Sequence, residues 1–548
     1  MVRKLRLHCA WTAALASSAL HAQSDGVEQT TLGTRPPARL VASFDGLGFG
    51  FVGPQGNVNF RNPSDNSVAV GPDHIVQIVN SRTAIFTKKG RLFDTTGKVL
   101  YGPVPTNNVF RGFGGPCEAR NNGDAVVRYD QLAKRWLIVM PIFSRNKPGP
   151  HPGVSGPAVR LYEPPHQAPQ PLPPPVPPPV PPPVPPSAPP SAPPSAPPST
   201  DPYAMCYAVS TETDPFGPYY RYEFTRPLFP DYPRPAVWPD GYYTPTSTGD
   251  DVIQKHVCVA ERSRMLQGKP SREQCVIVDG VNFLNTSDLD GTLLPPNGAP
   301  NIVIAAGGTQ LKNVLGDDAV YVWTFHVDWK DTSRTTLTGP TRIAVAPYRY
   351  LCGGQLTNCV PQPGTERKLD AQGDKIMART VYRRVGDREM LVAVHAVATE
   401  SGGGGVRWYE LTVGRSWNGR NGRGGDGVTV RQQGTFAPDS FYRWMASPAI
   451  DKFGNIAIGY SFGGTPNFPG QRLAARLAGD PLGQLTLGEV VLAEGEASQT
   501  STLRWEDYSQ TAIDPSDDCT VWYVGDYLKK DAPSYTSRIG AFRLSGCR

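Results

Sequence analysis

Seven copies of one short phrase recur along this chain, and their spacing limits the fold more than any other feature. In each copy a polar residue precedes a short run of small and apolar residues, often followed by a turn and a more apolar run. The copies begin DNSVAVGPD at Asp65, DAVVRYD at Asp124, RPAVWPD at Arg234, NIVIAAGG at Asn301, DKIMARTVY at Asp374, RWMASPAID at Arg443 and DYSQTAIDP at Asp507. Successive starts lie 59, 110, 67, 73, 69 and 64 residues apart. Between them, runs such as IVQIVNS (75–81), MLVAVHAV (390–397) and NIAIGYS (455–461) are bounded by Gly, Pro, Asn and Asp, and long helical periodicity is almost absent. The chain therefore reads as all-β, and seven near-equal units predict a seven-bladed β-propeller, in which four-stranded blades circle a central channel. A sandwich of this length would need two domains, which the near-constant period argues against.

The one long interval holds a proline tract, PLPPPVPPPVPPPVPPSAPPSAPPSAPP at 171–198, within a Pro, Gly and Ser-rich stretch over 145–202. Removing roughly fifty residues restores the period and makes RWLIVMPIFS (135–144) and YAMCYAVST (203–211) consecutive strands of one blade. The tract favours polyproline II, which would extend on the order of 80 Å if straight. Because both ends must return to neighbouring strands, a bent, solvated loop is expected.

Residues 1–22 carry Arg3, Lys4 and Arg6, then a short apolar core and a small residue at Ala22, the pattern of a secretory signal peptide. Its apolar run is too short to span a bilayer, and no other run reaches that length. Residues 23–62 form an N-terminal segment that could supply a closing strand through RLVASF (39–44), and 63–548 form the propeller. Removing the three basic residues of the signal lowers the formal net charge from +6 to +3, which gives no electrostatic case for nucleic acid. The glycine-rich, basic piece at 418–427 reads as a loop. Eight of the nine cysteines remain after the signal, an even count that favours disulfides in an exported chain. Proximity suggests Cys258 with Cys275, Cys352 with Cys359 and Cys519 with Cys547, leaving Cys117 for Cys206.

In a propeller the first strand of each blade lines the channel, so the polar starts should gather near one mouth. Asp65, Asp124 and Asp507 belong to adjacent blades, flanked by Arg234 and Arg443, with Asp374 across the channel. Carboxylates facing one narrow space repel, which raises their pKa values unless a cation neutralises them. Asp65, Asp124 and Asp507, with Glu506 beside them, are thus candidate ligands for a hard cation such as Ca²⁺. The plainer role for such residues is hydrogen bonding to the backbone of the next blade.

Enzyme motifs fare poorly. G-x-G-x-x-G occurs at Gly48, Gly50 and Gly53 without the strand-helix context of a dinucleotide site, and neither a nucleophile elbow nor a zinc motif occurs. His326 and His395 alternate with apolar neighbours and read as strand residues. WPDGYY (238–243), FYRWM (441–445) and WEDY (505–508) place aromatic, acidic and basic groups near the expected mouth, where they either pack between blades or meet a ligand.

The combination of W-E-D-Y-S at 505–509, D-P-S-D-D-C-T at 514–520, QQGTFAPDSFYRWM (432–445), DKFGNIAIGYS (451–461), GVRWYEL (405–411) and PLFPDYPRPAVWPDGYY (227–243) resembles a group of exported, functionally uncharacterised bacterial propeller-like proteins. The likeness spans most of the chain outside the proline tract. It implies export and a bacterial source and transfers no catalytic residue. Glu506 stands where that group has Gly, which should crowd the mouth.

These readings point to a secreted or periplasmic binding or surface-interaction scaffold, with a cation or polar ligand at the channel mouth and a glycan or protein at the cell surface as partner. The alternative is a carbohydrate-active hydrolase using Asp507 with Asp65 or Asp124, about 5–9 Å apart, with Arg234 and Arg443 orienting an acidic sugar. Quinone-dependent dehydrogenase propellers, with an eight-blade period, fit less well.

Overall fold

The computed structural model describes residues 27–60, 62–143, 159–160, 203–226, 228–247, 255–311, 314–354, 358–414 and 427–547. Residues 1–22, read above as a signal peptide, the proline tract and nearly all of the glycine-rich piece at 418–427 lie outside the described residues. The described chain is all-β, built from many small antiparallel sheets.

Seven four-stranded units follow one another. Unit one is Ser67–Val70, His74–Val79, Arg82–Thr87 and Val99–Pro105. Unit two is Val126–Asp130, Arg135–Ile142, Tyr203–Ser210 and Pro218–Arg226, edged by the short strand Val159–Arg160. Unit three is Ala236–Trp238, Gly241–Thr246, Lys255–Ala260 and Glu273–Val278. Unit four is Asn285–Leu289, Asn301–Ala306, Ala319–His326 and Thr336–Ala344. Unit five is Thr380–Val385, Arg388–Ala398, Gly404–Val413 and Val428–Phe436, and its first strand pairs in parallel with that of unit four. Unit six is Tyr442–Ile450, Ile456–Gly464, Asn467–Arg476 and Val490–Ala493. Unit seven takes Gln510–Ile513, Val521–Tyr527 and Thr536–Arg543 from the C-terminal end and Arg39–Gly48 from the N-terminal end, the last two pairing antiparallel.

The sequence phrase marks the first strand in every unit except the fourth. There Asn301 opens the second strand, and the first is Asn285–Leu289, whose sequence NTSDL carries a single apolar residue. All five of its residues are buried; Asn285 Nδ2 donates to the Ile376 carbonyl (2.9 Å), Ser287 Oγ to the Ile302 carbonyl (3.0 Å) and Asp288 Oδ1 accepts from the Val237 amide, while Asn285 Oδ1 and Thr286 Oγ1 have no hydrogen-bond partner.

Alternation along the strands distributes the core. In unit two, Trp136, Ile138 and Met140 pack with Val76, Ile78 and Ile85 of unit one, while Leu137 and Val139 pack with Val237 and Tyr242 of unit three. A two-residue period with both faces apolar is what a sheet between two others requires. Another layer joins units six and seven through Leu473, Val521 and Tyr523, and another joins seven to one through Trp522, Val524, Ile539, Val68 and Ile75. Each fully buried aliphatic side chain in these layers contributes about 1.5–3 kcal/mol.

Polar groups stitch the first strands together. The Val127 amide donates to Ser67 Oγ (2.9 Å), the Val237 amide to Asp288 Oδ1 (2.9 Å) and the Thr511 amide to Ser447 Oγ (3.0 Å), while Gln510 Nε2 donates to the Val68 carbonyl (2.6 Å). Contacts run from each unit's first strand to the next, and from that of unit seven to that of unit one. Four disulfides form: Cys117–Cys206, Cys258–Cys275, Cys352–Cys359 and Cys519–Cys547. Among the described residues no helix is long and apolar enough to cross a membrane.

Candidate functional site

Above the first strands the chain turns through left-handed residues. Asp65 and Asp124 have φ of +49°, Tyr232 +53°, Gln372 +46° and Asp507 +68°. A short polar side chain that bonds locally makes this conformation tolerable for Asp. The turns bring residues of distant repeats together. The Asp65 amide donates to the Glu506 carbonyl (2.7 Å), and Asn80 Nδ2 to Asp65 Oδ2 (2.7 Å). The Tyr232 amide is shared between Asp124 Oδ2 (3.3 Å) and Asp231 Oδ1 (3.0 Å), and its hydroxyl donates to the Asp507 carbonyl (2.8 Å). Gln372 Nε2 donates to Asp507 Oδ1 (3.0 Å). The Arg504 guanidinium pairs with both Asp507 oxygens, and its Nε lies 3.1 Å from Asp370 Oδ2.

This crowding moves protons. Burial, then the charges of Asp124 and Asp507, push the Asp65 carboxyl well above its usual range. Asp231 is pushed up to about 7 by burial and by Asp124, and Asp370 to about 7 by burial and by Asp507. Burial also raises Asp507, against the opposing effect of Arg504. The six acids Asp65, Asp124, Asp231, Asp370, Asp374 and Asp507 face the three cations Arg234, Lys375 and Arg504. The acids thus outnumber the cations, and the raised carboxyls of Asp65, Asp231 and Asp370 are where that excess is felt.

Two oxygens on one Ca²⁺ can be no more than about 5 Å apart, given bonds of about 2.3–2.6 Å. Asp65, Asp124 and Asp507 do not meet that condition together, and both oxygens of Asp507 are taken by Arg504. Among the described residues, triplets of acid, Cys or His atoms within 4.8 Å of one another occur at Cys258, Glu273 and Cys275 and at Asp517, Cys519 and Cys547, where the cysteines are bridged.

Arg234 does flank the acids. Its Nε donates to the Leu284 carbonyl (2.9 Å), its guanidinium lies 4.8 and 5.2 Å from the Tyr232 and Phe283 ring centroids, and neither Nη has a hydrogen-bond partner. Burial lowers its pKa to about 10. Asp374 reaches the cluster through Lys375, whose Nζ donates to Asp374 Oδ1 (2.6 Å). Arg443 does not join it. Asp439 (2.8 Å) and Glu489 (2.9 Å) hold its guanidinium near the Phe436 and Phe462 rings, in the layer between units five and six. A bulge between Trp444 and Ser447 re-aims the residues before it. Nor does Glu506 crowd the mouth: it accepts from Ser461 Oγ (2.7 Å) and Gln471 Nε2 (3.0 Å), both of unit six.

Below the acids, the first strands enclose a charge network absent from the sequence reading. Asp288 Oδ2 lies 3.1 Å from Arg128 Nε and 2.8 Å from Arg379 Nε, and Arg379 also pairs with Asp290. The remaining cavity is about 30 Å³, room for about one water. Alternating charged residues within the first strands (Arg128, Asp130; Asp288, Asp290) were the available signal. Trp238, Trp444, Trp505 and Tyr508 are buried, so the flagged aromatics serve the core. His395 is likewise a core residue, 2.9 Å from the Tyr409 hydroxyl and lowered to about 3 by burial.

No family model matches the chain, and no curated protein matches it. It is similar to a protein of unknown function from Dyadobacter fermentans, at 11% identity over 93% of this chain and 100% of that one, with a TM-score of 0.34. A polysaccharide lyase of the ulvan lyase type shares 10% identity over 91% and 95% of the two chains, TM-score 0.37. An α-L-arabinofuranosidase from Lactobacillus brevis shares 10% over 58% and 91%, TM-score 0.28. Likenesses this distant carry no argument about the reaction.

Proposed function

We propose that the seven units form a closed seven-bladed propeller that acts as an exported, non-catalytic binding scaffold, with a polar ligand received at the mouth. Support for closure comes from the contacts of the first strands in cyclic order and from the apolar layer between units seven and one. Four disulfides fit an oxidising destination. The observation that carries the non-catalytic reading is the channel itself: Arg128, Asp288, Arg379 and Asp290 fill it, and of the acids above, Asp65, Asp370, Asp374 and Asp507 are buried. An acid and base acting on a substrate need an accessible pair.

One feature favours the hydrolase alternative, namely the Asp65 carboxyl, pushed above its usual range by burial and by the charge of Asp124 beside it. Asp65, however, is 0% exposed, so a substrate would have to displace Asn80 to reach it. Incubating purified protein with a panel of plant and bacterial polysaccharides, while measuring both retention and release of reducing ends, separates the two. Retention without product supports the scaffold. Product release that disappears in Asp65→Asn or Asp507→Asn would establish the hydrolase instead.

A further inference from the structure

Beside the mouth, a cleft of about 660 Å³ follows the segment that links the closing strand to unit one. Phe49 to Val52 and Asn57 to Phe60 form one wall, with Ser501, Pro533 and Ser534 opposite. A second cavity, of about 390 Å³, shares Asn59 and Phe60 with the first and reaches inward to Asn80, Asn121 and Tyr535. Both volumes fall in the range of small-ligand pockets.

The walls are tied in place. The Phe49 amide donates to the Tyr535 carbonyl (2.7 Å), and Thr536 Oγ1 donates to the Phe49 carbonyl (3.0 Å). Gly53 and Gly56 bridge each other, and Asn62 Nδ2 donates to Ser534 Oγ (3.2 Å). The Gly48, Gly50, Gly53 run, a poor candidate for a dinucleotide loop, is thus part of a turn that shapes this cleft.

Its chemistry is selective. Among the described residues no carboxylate or lysine lines either cavity, and the charged side chain that does is Arg82. Phe49 is 41% exposed, an unusual setting for a large ring, and Asn57 and Asn59 are exposed beside it. Carboxamides both donate and accept, as sugar hydroxyls require, and aromatic faces suit the C–H face of a pyranose ring. At the inner end Tyr535 is 1% exposed, yet its hydroxyl has no hydrogen-bond partner. Its ring meets Phe60 edge-on, with centroids 6.3 Å apart. A buried hydroxyl left unpaired is costly, and a ligand hydroxyl entering the inner cavity would remove that cost.

We infer that the two cavities form one groove that binds a neutral oligosaccharide, stacked on Phe49 and Phe60 and hydrogen-bonded to Asn59 and to the Tyr535 hydroxyl. This rests on the scaffold reading and gives it a ligand class and a place. Among the described residues the groove has no cationic cluster, which disfavours uronic or sulfated sugars.

Calorimetric titration with cellohexaose, xylohexaose, mannohexaose and laminarihexaose, with a galacturonate oligomer as acidic comparator, tests the groove. The expected result is binding of at least one neutral hexasaccharide, weakened about tenfold or more by Phe49→Ala and by Tyr535→Phe. Because the Tyr535 hydroxyl is unpaired, the free Tyr535→Phe protein should melt no lower than wild type, which separates lost affinity from misfolding. Failure of every neutral hexasaccharide to bind, preference for the acidic oligomer, or affinity indifferent to both substitutions would overturn the groove while leaving a scaffold for another ligand. Cleavage of a bound hexasaccharide would overturn the scaffold reading and leave the groove standing.

Discussion

Asp231 illustrates how the mouth links charge to stability. Its carboxyl titrates at about 7 when folded, raised by burial and by Asp124 from an ordinary value of 3.8. A raised carboxyl contributes stability that is complete below the unfolded value and is lost as pH climbs through the folded one, so the window runs from about 4 to 7. Asp370, also raised to about 7, acts in the same direction. The thermal midpoint is therefore expected to fall between pH 5 and pH 8. Asp231→Asn keeps an oxygen for the Tyr232 amide and removes the charge. It should stabilise the protein at pH 8 by roughly 1–3 kcal/mol, discounted for partial exposure, by less as pH falls, and change little at pH 4 and below. Equal melting of mutant and wild type across that range would refute the charge balance drawn for the mouth. Asp65, Asp124 and Asp507 were readable because each opens a repeat. Asp231 and Asp370 stand a few residues ahead of the phrase, Asp370 at the end of the short strand Thr365–Asp370, where the repeat spacing says nothing. Arg443 had the right position, but a bulge gave it another direction.

The hairpin of unit two shows why a large insertion can be carried. Ile142 pairs with Ala204 and Val139 with Tyr207, so the strands on either side of 145–202 are in register from the first described pair. Cys206 on the returning strand is bridged to Cys117 ahead of the unit. Loop-closure entropy grows slowly with length, so a long excursion costs little once the register is fixed by burial of one face on each side. Replacing residues 163–200 with a short Gly and Ser linker is expected to change stability by less than about 1 kcal/mol, as measured by denaturant unfolding. A collapse of the cooperative transition would show that the tract packs into the fold. Apolar strands such as RWLIVMPI were legible from alternation, whereas NTSDL was not, because a strand lining a polar channel buries Asn, Ser and Asp where pattern reading expects Val and Ile.

Seven separate sheets in sequence order were expected from the period; the described residues display seven four-stranded groups in that order, with the fourth and fifth joined into one sheet through their first strands. The period could not reveal the filling of the channel, because Arg128, Asp288 and Arg379 come from three repeats and meet only after assembly. The seventh sheet depends on its strand Arg39–Gly48. A chain lacking residues 27–48 leaves Thr536–Arg543 as an unpaired edge and uncovers Ile539 and Trp522 of the neighbouring layer. It is expected to self-associate on size exclusion and to melt well below the full chain. A monomer with an unaltered melting point would refute the joining of the two ends as a source of stability.

That joining also governs when the molecule can be finished. The strand Arg39–Gly48 waits for a partner, Thr536–Arg543, that is made after the six sheets between them, so those sheets can form while synthesis proceeds but the seventh cannot. A prematurely terminated chain, however nearly complete, is left with a sticky border that proteases and chaperones can recognise. Pairing of these two distant strands thereby doubles as a check that the segment between them has been translated.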